Sequence, residues 1–128
     1  MTLELAVAPD TYEVLRLDPG APVPAWFAGP GLRAMLESED ELTLVLVEGR
    51  RPADWEAPRE GGFRALRVVG TLEFSMVGVL AGLAGTLADA GISILALSTF
   101  DTDWLLVPGV RLDDARAALE AAGYGVRG

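Results

Sequence analysis

The chain has 128 residues, is 51% hydrophobic and carries a formal net charge of −9. That length suits one ordinary domain or two very small ones, and the acidic balance argues against nucleic acid or an anionic membrane as partner, since both select basic surfaces. The sequence has no Cys, no His and no Lys, which excludes disulfides, Cys/His zinc sites, imidazole base catalysis, Ser-His triads and lysine Schiff bases, so a non-catalytic role is expected.

The opening "MTLELAVAPD" has neither a basic n-region nor a long apolar h-region and does not read as a signal peptide. "TYEVLRLD" (11–18) predicts a strand. "PGAPVPAWFAG" (19–29) is too rich in proline for more than a short helical turn starting near Pro24, Ala25 and Trp26. "LRAMLES" and "LTLVLVE" read as two strands around "EDE", and "GRRPADWEAPREGG" (49–62) as a linker. Trp26 and Trp55 are expected to pack under that linker or at an interface.

"RALRVVGTLE" (64–73) is a β-branched apolar run, hence a strand. In the following "FSMVGVLAGLAGTLADAGI", Val77, Leu80, Ala81, Ala84, Leu87 and Ala88 recur at helical spacing. Ser75 is placed to cap that helix and Gly91 to end it in the left-handed conformation. The uncharged run Phe74–Ala88 falls short of the ~20 apolar residues of a membrane span. A soluble, cytoplasmic protein without a membrane partner is expected. Residues 92–107, "ISILALSTFDTDWLLV", are two apolar strands around a polar island without glycine. A tight hairpin would favour Asn-Gly or Asp-Gly there. The island is either a turn bonding its own backbone or a binding segment. "RLDDARAALEAAG" predicts a second helix with Leu112, Ala115, Leu119 and Ala122 on one face and Gly123 closing it, and "YGVR" a last short strand.

The resulting order over 63–128 is β-α-β-β-α-β, an α+β, ferredoxin-like arrangement. The first half repeats the strand order: "LESEDELTLVLV" (36–47) matches "STFDTDWLLVPG" (98–109) in placing acidic residues before a shared Leu-Val. This predicts two tandem modules, the first with its helix cut down.

The stretches "GTLEFS", "VGVL", "GIS" and "STFDTDWLLV" (Gly70–Ser75, Val77–Leu80, Gly91–Ser93 and Ser98–Val107) resemble the ACT domain. More narrowly they are similar to the small tandem-ACT proteins of bacteria related to the CASTOR-type arginine sensors. Tyr12, Val14, Arg16, Leu17, Pro24 and Trp26 extend the resemblance toward the N-terminus. It implies a degenerate N-terminal ACT-like module at 1–48, a linker at 49–62 and a C-terminal ACT domain at 63–128. It also implies a regulatory protein, commonly a homodimer, that binds a small ligand such as an amino acid at an ACT–ACT interface. No cofactor or metal is implied. The sequence shows no attached catalytic domain and does not identify a regulated protein partner.

By the same resemblance Gly70, Glu73, Thr99, Phe100 and Asp103 line the ligand pocket. Physical chemistry adds Ser75 and Gly78, where helix N–H groups suit a carboxylate and a glycine lets the ligand approach closely. The carboxylates of Glu73 and Asp103 suit an ammonium. Each position also has an ordinary reading: Ser75 and Gly78 as caps, Glu73 as a solvated strand end, Phe100 as a core or dimer anchor. Asp101 and Asp103 could ligate Mg²⁺ or Ca²⁺, though two carboxylates alone make a weak site. A ligand-independent assembly module is the alternative function; a small carboxylate enzyme would need Glu73 and Asp103 together in a closed cleft.

Overall fold

The computed structural model describes residues 3–72 and 77–128. In chain order the elements are β1 (Glu4–Leu17), a 3-10 turn (Ala25–Phe27), β2 (Ala34–Glu37), β3 (Leu42–Val47), β4 (Arg59–Val68), α1 (Val79–Asp89), β5 (Leu95–Ser98), β6 (Asp103–Pro108), a second 3-10 turn (Gly109–Arg111), α2 (Leu112–Ala121) and β7 (Gly125–Arg127). Two compact units result: Met1–Pro9 with Phe63–Gly128, and Asp10–Gly62. The chain leaves the first unit after Pro9 and returns to it at Phe63. The N-terminal residues expected to belong with the first half therefore pack with the second.

In the first unit β4 pairs antiparallel with β6 (Leu66 opposite Leu105), and β5 pairs antiparallel with β6 (Leu97 opposite Trp104). This is the predicted central placement of the strands equivalent to one and three. The last strand departs from expectation. β7 pairs in parallel with the start of β1, Glu4 opposite Gly125, and β1 lies next to β4, with Val69 N–H donating to Glu4 O at 2.8 Å. The N-terminal strand thus takes the place beside β4 that the final strand of a ferredoxin-like module would hold. "ELAVAP" carries the alternation of a strand, but its partner is more than a hundred residues away in sequence, and no local pattern reports that.

Both helices cover one face of this sheet. Leu83 and Leu87 of α1 and Ala115 and Leu119 of α2 share one buried cluster with Leu5, Leu66, Val68, Ile92, Leu105 and Val107. The apolar face of α1 is rotated from the predicted one. Leu83 and Leu87 are fully buried, whereas Val77 is 95% exposed and Ala81 and Ala88 also face solvent. Alanine contributes equally to any helix face, so leucine spacing decides which one packs. Both helices end in a Schellman motif. Gly91 (φ 72°) and Gly123 (φ 99°) follow the C-caps. Ile92 N–H reaches back to Leu87 O at 3.0 Å, and Tyr124 N–H to Leu119 O at 3.0 Å.

In the second unit β3 pairs antiparallel with β1 (Tyr12 opposite Val47) and with β2 (Met35 opposite Leu44). Its core is Leu15, Leu17, Phe27, Leu42, Leu44 and Leu46, with Ala21, Trp26 and Trp55 packed against it. Residues 49–62, expected to be a linker, are built into this unit. Arg16 N–H donates to Pro58 O at 3.0 Å, β4 begins at Arg59, and Trp55 meets the Trp26 ring edge-on with centroids 5.1 Å apart. Glu13, 2% exposed, accepts a hydrogen bond from Arg59 Nε at 2.9 Å and faces Arg51 Nε at 3.5 Å. The Glu13 hydrogen bond holds the Arg59 guanidinium pKa above its ordinary value, so Arg59 stays charged at every working pH.

Candidate functional site

Within the first unit, the start of α1 and the β5–β6 turn face a common cleft. The residue before α1 is Gly78, at φ 85°, a left-handed conformation that glycine adopts without steric cost. No side chain caps the helix among the described residues, and its first backbone bond runs from Gly82 N–H to Gly78 O at 2.9 Å. The N–H groups of Val79, Leu80 and Ala81 therefore have no acceptor inside the helix and carry the positive end of its dipole.

The opposite wall is the polar island, and its hydroxyls account for the absence of glycine. Thr99 N–H donates to Thr102 O at 2.8 Å. The Thr99 hydroxyl donates to the same carbonyl at 3.1 Å and accepts from Thr102 N–H at 3.2 Å. The buried Thr102 hydroxyl donates to Val68 O at 2.8 Å, fastening the turn to the end of β4, and Leu72 N–H donates to Asp101 O at 2.6 Å. Hydroxyl bonds of this kind replace the backbone bonds of a tighter turn. Asp103 opens β6 and is only 9% exposed. Its Oδ1 accepts from Ser98 Oγ at 2.7 Å, the one donor to this carboxylate among the described residues.

The cleft is about 250 Å³ and is lined by Leu72, Gly78, Val79, Leu80, Ala81, Ser98, Thr99, Phe100, Thr102 and Asp103. Of the expected site residues, Gly78, Thr99, Phe100 and Asp103 are brought together here. Phe100 is 79% exposed at the rim and takes no part in the core. Gly70 is exposed and does not line the cleft. Glu73 and Ser75 lie outside the described residues. Leu72, Ser98 and Thr102 were not singled out. The signal for Thr102 was its place as a β-branched hydroxyl inside the polar island. The described residues contain no group of three or more metal-ligating side chains, and no helix among them is long and apolar enough to cross a membrane.

The fastening bond gives a direct test. Thr102→Val keeps the shape of the side chain but removes the 2.8 Å bond to the Val68 carbonyl and leaves that oxygen with the long 3.5 Å bond from Arg67 Nη1. Chemical denaturation should show a loss of about 1–3 kcal/mol. An unchanged midpoint would mean that the turn holds its place without this bond.

One side of the cleft offers helix-terminus N–H groups that have no capping side chain among the described residues, and the other a nearly buried carboxylate. These are complementary to the two ends of a zwitterion. Residues 59–121 match the ACT domain family. No curated protein sequence matches the chain. A crystal structure of a protein from Agobacterium tumefaciens is similar over 98% of this chain and 92% of its own, with 28% identity and a TM-score of 0.90. The ligand-free regulatory subunit of aspartate kinase from Thermus thermophilus superposes with a TM-score of 0.69 at 15% identity, covering 95% of this chain and 99% of that one. A Vibrio cholerae protein of unknown function, described as a possible transport protein, gives 0.69 at 21% identity over 91% of this chain and 86% of that one. Residues 59–121 carry the ACT-domain signature, and the chain has the ACT-type, ferredoxin-like α+β fold.

Proposed function

We propose that this chain is a non-catalytic regulatory protein that binds a free amino acid in the cleft between α1 and the β5–β6 turn. The observation that carries this reading is the pairing of the helix terminus at Val79–Ala81, which no side chain among the described residues caps, with the buried Asp103 carboxylate around one cleft. The ligand carboxylate would accept from the helix N–H groups, and its ammonium would donate to Asp103, at ~1.5–3 kcal/mol for each charge-assisted bond. The open side of the cleft would be closed by another ACT surface, so that the ligand lies at an ACT–ACT interface. Ligand binding would then stabilise one arrangement of modules, and a partner protein would read the difference.

Further features of the reading follow the sequence. The degenerate ACT-like module read at 1–48 would correspond to the compact unit Asp10–Gly62, with Ala25–Phe27 standing for its shortened helix. Its affinity lies with the CASTOR-type sensors, and the protein works as a homodimer in the cytoplasm.

Calorimetry with a panel of amino acids tests the proposal. Heat from at least one is expected, with cationic side chains favoured by the −9 net charge. No heat from any of them at millimolar concentration would sink it.

A second reading is a ligand-independent assembly module. It is favoured by the degree to which the turn Ser98–Asp103 bonds itself through Thr99, Thr102 and Ser98. The same calorimetry separates the two.

A further inference from the structure

In the second unit β2 is an edge strand: β3 lies on one side of it, and no strand lies on the other among the described residues. Exposed edges invite pairing, and natural sheets usually protect them with charge, proline or bulges. This edge is apolar at its centre instead. Met35 is 52% exposed and Leu36 54% exposed. Arg33 stands before the strand and Glu37 closes it, and neither has an ion-pair partner among the described residues, although Arg33 rests over the Phe27 ring at 5.4 Å.

The hydrogen-bond phase of β2 fixes what the edge can do. Ser38 N–H donates to Glu41 O at 2.9 Å, and the register runs Leu36 opposite Thr43 and Ala34 opposite Val45. Backbone groups alternate sides along an antiparallel strand. Those of Ala34, Leu36 and Ser38 therefore turn toward β3. Those of Met35 and Glu37 turn outward, as would those of Arg33 if the strand were extended by one residue.

We propose that β2 pairs antiparallel with β2 of a second copy, about a two-fold axis at Met35. This specifies the homodimer of the preceding reading and is independent of the amino-acid ligand. Only residues with outward backbone groups can form hydrogen-bonded pairs, and of the registers this phase allows, the one with Met35 opposite Met35 sets Arg33 opposite Glu37 and Glu37 opposite Arg33. Two opposite-charge cross-strand pairs then form by symmetry, and the two exposed methionines share the axis on the side of the core residue Leu44. A shift by two residues either way loses both charge pairs or moves Arg33 opposite Glu39 in the β2–β3 turn. A second edge of the sheet, β5, turns Ala96 and Ser98 outward by the same reasoning and has no charge to select a register.

Charge exchange tests this. Arg33→Glu and Glu37→Arg should each weaken dimerisation in sedimentation by about tenfold, because two attractive pairs become repulsive. The double variant should restore it. A register test is available because the chain has no cysteine. Under oxidation, Met35→Cys should form an inter-chain disulfide readily, since hydrogen-bonded antiparallel pairs hold Cα atoms about 5.5 Å apart. Leu36→Cys should not, since the two copies of Leu36 would be more than about 7 Å apart. A wild-type dimer indifferent to all these changes overturns the β2 interface and leaves self-association standing. A wild-type chain that is monomeric at concentrations on the order of tens of micromolar overturns the homodimer reading as well.

Discussion

Asp103→Asn is expected to fold with little loss of stability and to lose most of the stabilisation that a bound amino acid confers. The asparagine keeps the shape of the side chain, and its carbonyl oxygen still accepts from Ser98 Oγ, which sits 2.7 Å from the carboxylate. Replacing a charge-assisted bond by a neutral one at this site should cost no more than about 1 kcal/mol of folding free energy. The ligand loses the counter-charge of its ammonium. At ~2 kcal/mol for that interaction the dissociation constant rises roughly thirtyfold. Ligand present at a hundred times its wild-type dissociation constant stabilises the wild type by about 2.7 kcal/mol. By the same linkage the variant retains only about 0.9 kcal/mol. For a chain of this size the difference is a fall in the ligand-induced rise of Tm from about 10 °C to about 3 °C. Thermal denaturation with and without ligand reads it directly. An undiminished rise would remove Asp103 from the binding site. A variant that fails to fold would make Asp103 a structural member of the turn and favour the assembly reading.

Much of this site was legible because its chemistry is local. The island 98–103 stood out as hydroxyls and carboxylates between two apolar runs, and Gly78 as a glycine at a helix start; the structure sets both on one cleft. The element types of the C-terminal half were legible for the same reason, since leucine spacing and flanking glycines act within a few residues. What sequence periodicity could not show was long-range. The parallel pairing of Glu4–Ala6 with Gly125–Arg127 joins segments more than a hundred residues apart, a question of topology. The packing of residues 49–62 was hidden because their composition is that of a flexible segment. Trp55 and Arg51 hold the stretch in place through contacts with Trp26 and Glu13, which lie far from it in sequence. Thr102 shows an intermediate case. Its residue type was visible, but its bond to Val68 O required knowing that β4 and β6 are neighbours.

Glu13→Ala is expected to be the most destabilising single change in the second unit. Glu13 sits on β1 opposite Leu46 and is 2% exposed. A buried carboxylate is tolerable only with compensating charge, which Arg59 supplies at 2.9 Å and Arg51 at 3.5 Å. Arg51 is the more dependent partner, with a side chain only 16% exposed. Its Nε makes no hydrogen bond among the described residues, and its Nη1 donates to Trp55 O at 2.7 Å and Pro52 O at 3.3 Å. Arg51 thus ties the 52–55 turn to the strand through Glu13. Removing the carboxylate leaves one guanidinium nearly buried without a counter-charge, at a cost of about 3 kcal/mol. Against a total stability of about 6–19 kcal/mol for a chain of this length, that is a large share. Because the stranded charge and not the missing contact causes the loss, Glu13→Leu alone should be about as damaging. Adding Arg51→Met to Glu13→Leu should recover much of it, as apolar replacement of a whole buried network often does. The readout is specific: the single variants should release Trp55 from Trp26, shifting tryptophan fluorescence and speeding hydrogen exchange at the Trp55 N–H, which is bonded to Pro52 O at 2.9 Å. A double variant as unstable as the singles would place the cost in the lost shape of the Glu13 side chain and not in the charge left behind.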